Sequence, residues 1–137
     1  MNIVDSSGWL EYFAGGPNAA FFSAPLQKTN ELIVPSITIY EVFKAVLRQR
    51  NESDALQAVA LMMQGSVVDL TANVSILAAT LSFREKMPMA DSIILATARL
   101  YQATVWTQAS APVERSSSFA GLTSSKRRDF CERSTRG

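Results

Sequence analysis

Histidine is absent from this chain of 137 residues, and cysteine occurs once, as Cys131. That removes Ser-His-Asp and Cys-His nucleophile systems, histidine general bases and histidine metal ligands. A single cysteine likewise excludes an internal disulfide and any CxxC site. Chemistry is left to carboxylates, hydroxyls, lysine and arginine. Three acids stand out by position. Asp5 closes the short apolar run Ile3-Val4, Glu41 follows Leu32-Ile33-Val34-Pro35 within a few turns of helical spacing, and Asp91 opens the stretch that leads to Thr104-Val105-Trp106-Thr107. A carboxylate at the end of a buried strand is costly unless it is used. Three converging carboxylates repel one another unless a cation joins them. Oxygen ligands alone select a hard ion, Mg²⁺ or Mn²⁺, and such an ion suits hydrolysis of a phosphodiester. Each acid also has an ordinary account. Glu41 could pair with Lys44 or Arg48 along one helix face, and Asp91 could complement a helix dipole. Asp69 is expected on the polar side of its strand. Glu11, Glu31, Glu52, Asp54 and Glu85 are expected to be solvated helix or loop acids.

The elements that must bring the three together follow from periodicity and punctuation. Short apolar or β-branched runs at 2–5, 32–35, 66–70 and 104–107 predict strands. Helices are predicted over 6–14, 18–28, 37–50, 53–63, 72–86 and 89–102. Gly15-Gly16-Pro17, Gly65 and Pro88 serve as stops, and Ser36 as a cap. Strands alternating with helices imply a mostly parallel sheet with helices on both faces. In such sheets ligands collect at the carboxyl ends of the strands, the edge where Asp5, Glu41 and Asp91 are all expected.

At 47% apolar and 18% charged residues, with a net charge of +1, the chain reads as one globular domain with a core. Neither a GxGxxG nor a Walker loop occurs among its six glycines. No basic segment precedes an apolar run at the start and no run of about 18 apolar residues occurs, so neither a signal peptide nor a membrane span is expected. The expected address is cytoplasmic. Composition shifts after Gln108: residues 109–137 hold seven serines and six Lys/Arg against three acids. That segment is expected to be mostly loop or disorder, with basic side chains that could meet phosphates.

The segments IVDSSGWLEYF, VPSITIYEVFKAVLR and MPMADSIILATARLYQATVWTQ resemble the motif regions of PIN-domain proteins. The closest likeness is to the toxins of VapBC-type toxin–antitoxin pairs. The order and spacing agree over residues 1–108, and ADSIILATA followed by TVWTQ is the most specific part. The resemblance implies a PIN-like three-layer α/β fold, a short mostly parallel sheet flanked by helices, spanning 1–108, with 109–137 a divergent segment. It matches Asp5, Glu41 and Asp91 to the family's acidic positions. It implies a Mg²⁺-dependent endoribonuclease toxin acting on RNA, a homodimer, and neutralisation by a cognate antitoxin. Ser7 and Thr107 are candidates for orienting a carboxylate or a water. The family usually continues Thr-x-Asp after the fourth strand, whereas this chain reads Thr107-Gln108-Ala109. Phe119-Ala120-Gly121-Leu122 resembles the segment that normally follows the acid, and Glu114 is the nearest substitute. The alternative reading is therefore a catalytically weakened PIN fold that binds protein or RNA. An aspartate-based phosphatase would need an acid where Ser7 stands. Trp9, Tyr12, Phe13, Phe21 and Phe22 exceed what two short helices ordinarily bury, and are expected to offer an antitoxin a partner surface unless they are simply core.

Overall fold

Each predicted strand forms and is three residues long: β1 (Asn2–Val4), β2 (Ile33–Pro35), β3 (Ser66–Val68) and β4 (Thr104–Trp106). The computed structural model in which they are seen describes residues 1–110. β1 pairs in parallel with β4, in the register Asn2–Thr104, Ile3–Val105 and Val4–Trp106. β2 pairs in parallel with β3, Ile33 opposite Ser66 and Pro35 opposite Val68. A parallel bridge from Asn2 to Leu32 joins the two pairs, so the strands follow the order β3-β2-β1-β4.

Parallel neighbours need long crossovers, and each crossover here is a pair of helices. α1 (Ser6–Ala14) and α2 (Ala19–Gln27) link β1 to β2. α3 (Ser36–Gln49) and α4 (Glu52–Met62) link β2 to β3. α5 (Ala72–Glu85) and α6 (Met89–Tyr101) link β3 to β4. Alternation of side chains along the strands separates the faces. Val4 and Val34 pack with Trp9, Leu10, Phe22, Val42 and Met62 from α1 to α4. Ile3 and Ile33 face Ile94 and Ala98 of α6. α5 covers the outer side of α6 through Val74, Ala78 and Leu81 against Ile93 and Ala96.

Local chemistry explains most boundaries. Gly15 ends α1 at a positive φ of 64°, open to glycine without a Cβ penalty. Asn51 and Thr71 cap α4 and α5 through their side chains. Ser36 is the first helical residue rather than the cap, a position taken by Pro35. α2 continues past Pro25, and a 3₁₀ turn at Thr29–Glu31 precedes β2. The aromatic residues need correction: Trp9 and Phe22 are core, 3% and 0% exposed, and offer no partner surface. Tyr12, Phe13 and Phe21 are half-buried against that core. A 3₁₀ turn at Gln108–Ser110 closes the described chain. The expectations for Glu114, Phe119–Leu122 and the basic side chains of the last segment fall outside the described residues.

Candidate active site

Because the strands are parallel, their carboxyl ends share one edge. Asp5 and Thr107 are the first residues beyond β1 and β4, and Asp5 N donates to Trp106 O at 3.1 Å, carrying the ladder one step further. α6 runs back along the sheet before β4, which returns its first turn, with Asp91, to the same edge. Asp5, Asp91 and Thr107 line one cleft of about 50 Å³, walled by Met87, Ile94, Leu95 and Val105. Both acids are buried, Asp5 to 2% and Asp91 to 7% exposure.

Asp5 has a local role that its sequence position did not disclose. It is the N-cap of α1: its Oδ1 accepts from Gly8 N at 2.9 Å and from Ser7 Oγ at 2.7 Å. Capping and the partial positive charge of the helix start both favour a carboxylate there. Gly8 makes the approach feasible, because a Cβ at that position would lie 2.6 Å from Val4 Cγ1 and 2.8 Å from the Phe22 ring. Glu41, in the second turn of α3, joins the same region through Ser6, whose Oγ donates to Glu41 Oε1 at 2.6 Å. Ser6 was missed in the sequence, although it directly follows Asp5. Among the described residues, no three His, Cys, Asp or Glu side chains form a group that could hold a metal ion. The arrangement is thus an Asp5–Asp91 cleft, with Glu41 tethered to the residue beside Asp5.

Glu11 is not the solvated helix acid expected. It is 6% exposed, and its Oε1 accepts from Asn18 N at 3.0 Å while its Oε2 accepts from Gln108 Nε2 at 2.7 Å. Asn18 Nδ2 donates to Gln108 Oε1 at 2.9 Å, completing a polar ring. Asp69 is exposed, as expected, just beyond β3.

Residues 3–108 match the family model of the PIN domain, and the chain belongs to that family. Among solved structures it is similar to a toxin–antitoxin complex from Klebsiella pneumoniae, with 20% identity and a TM-score of 0.66, covering 89% of this chain and 92% of that one. It is also similar to Mycobacterium tuberculosis VapC20, described as a sarcin–ricin loop cleaving toxin, with 16% identity and a TM-score of 0.65, covering 77% and 89%. No curated protein sequence matches the chain. Among the described residues, no helix is long and apolar enough to cross a membrane.

Proposed function

We propose that this PIN-domain chain is a VapC-type toxin, a metal-dependent endoribonuclease that acts in the cytoplasm and is neutralised by a cognate antitoxin. The observation that carries this reading is that Asp5 and Asp91, both buried, line one cleft at the carboxyl edge of the sheet. Two carboxylates on so small a cleft oppose each other, and a cation offsets the repulsion. Mg²⁺ commonly takes one or two protein carboxylates and fills its remaining positions with water, so the pair suits Mg²⁺, with Mn²⁺ as a substitute. A bound divalent cation supplies charge stabilisation to phosphodiester hydrolysis. Ser7 holds the Asp5 carboxylate in its capping orientation. Glu41, held by Ser6, orients the attacking water, and Thr107 adds a hydroxyl to the cleft wall.

The antitoxin's seat, on this reading, is a groove of about 270 Å³ where Leu10 and Phe13 of α1 face Val46 of α3 and Ala58 and Leu61 of α4. Arg50 and Asp54 stand on its lining, 3.4 Å apart. Phe13 is the member of the aromatic set that reaches this groove, whereas Phe21 packs against Trp106 at 5.0 Å between ring centroids. The test is incubation of the purified chain with structured RNA. Cleavage is expected with Mg²⁺ or Mn²⁺, none in EDTA, and none from the Asp91→Asn variant. RNA retained on the protein but uncut in every condition would replace the nuclease with the binding module. That second reading draws its support from Ala109, which stands where the family resemblance leads one to expect an acid.

A further inference from the structure

The polar ring of Glu11, Asn18 and Gln108 lies outside the apolar core clusters, and its chemistry is expensive. A carboxylate withdrawn from water is tolerated only where hydrogen bonds replace its hydration. Here they come from a backbone amide and a side-chain amide 97 positions away in sequence. The turn after α1 is shaped around it, since a Cβ on Gly16 would overlap the Glu11 carboxylate. The far end of the ring is the informative one. Strand pairing of β4 ends at Trp106, with one further backbone bond to Asp5. Thr107, which lines the cleft, comes next, and Gln108 follows at once.

We propose that Glu11 and Asn18 form a clamp that grips Gln108 and thereby sets Thr107 against the Asp5–Asp91 cleft. Glu11 is a positioning residue in this scheme: it lies outside the cleft lining and acts through the chain it holds. The proposal rests on the nuclease reading for its catalytic consequence, but the clamp itself is a statement about order in the chain beyond β4.

The polarity of the ring supplies the test. Gln108→Glu puts a second carboxylate where the amide donated at 2.7 Å. Glu11→Gln in that background restores a donor facing an acceptor, and leaves Asn18 Nδ2 an oxygen to donate to. Gln108→Ala removes the grip without adding charge. Hydrogen exchange of the segment 105–109 and RNA cleavage with Mg²⁺ are measured on all forms. Losing a hydrogen bond to a charged group corresponds to about tenfold or more. Gln108→Glu and Gln108→Ala are expected to speed exchange and slow cleavage by about that factor, and the double variant Glu11→Gln/Gln108→Glu to return both to within about threefold of the parent. Unchanged exchange in both single variants, or a double variant no better than Gln108→Glu, overturns the clamp. Faster exchange with parental cleavage overturns its positioning role. A parent protein that cuts no RNA sinks the nuclease reading instead, and the exchange data still judge the clamp.

Discussion

Asp5 caps α1 and faces the cleft with one carboxyl group, and substitution separates the two tasks. Asparagine caps a helix about as well as aspartate, so Asp5→Asn is expected to keep stability within roughly 0.5 kcal/mol while abolishing cleavage. Asp5→Ala loses the bonds from Gly8 N and Ser7 Oγ as well, and is expected to cost about 1 kcal/mol or more in urea unfolding on top of the lost activity. Equal instability of the two variants would mean that charge rather than capping holds the start of α1. Ala109 makes a second point at this scale. A further carboxylate beside a partly screened ion is worth about 1–3 kcal/mol at an effective dielectric near 20, so Ala109→Asp is expected to tighten Mg²⁺ about ten- to hundredfold. Calorimetric titration of both forms with Mg²⁺ decides it, and equal affinities would mean that position 109 does not face the ion.

α1 shows how much of the molecule was legible beforehand and why the rest was not. Its span, Ser6–Ala14, follows from the apolar spacing of Trp9, Leu10 and Phe13 and from the stop at Gly15. Pro88 marked the start of α6 in the same way. Strands and helices were readable because their signals are local. What Glu11 does was not readable, because its burial depends on Gln108, 97 residues on, and spacing within a helix carries no trace of that partner. The five aromatics divided for a related reason: Trp9 and Phe22 are core, and a Cβ at Gly8 would meet Val4 and the Phe22 ring, a close approach of α1 to β1 and α2 that spacing alone does not reveal. Gly8→Ala is accordingly expected to destabilise by about 1–3 kcal/mol through overpacking against Val4 and Phe22, read as a lower urea midpoint with an unchanged slope. A midpoint equal to that of the parent would show that α1 can move away at little cost, and the cap at Asp5 would have to move with it.

At the scale of the whole molecule, the outer helix pair exposes apolar side chains among the described residues. Ile76 and Phe83, 67% and 88% exposed, stand seven residues apart on one face of α5. Met89 of α6 is exposed as well. The homodimer that the family resemblance implies would account for such a surface. Phe83→Glu is expected to shift the mass in light scattering from dimer to monomer without lowering thermal stability within the monomer. A parent that runs as a monomer would overturn the homodimer that the family resemblance implies. The β1–β4 register has a consequence in time. It joins Asn2 to Thr104, so this pairing, at one end of the strand order, waits until nearly the whole described chain exists, and contacts of that sequence separation form late and slowly. Asp5 is made almost first, Asp91 comes 86 positions later, and Thr107 reaches the cleft only when β4 docks. A growing chain therefore carries one acid of the pair long before it carries a cleft, and any product that stops short of Trp106 lacks the strand that closes it.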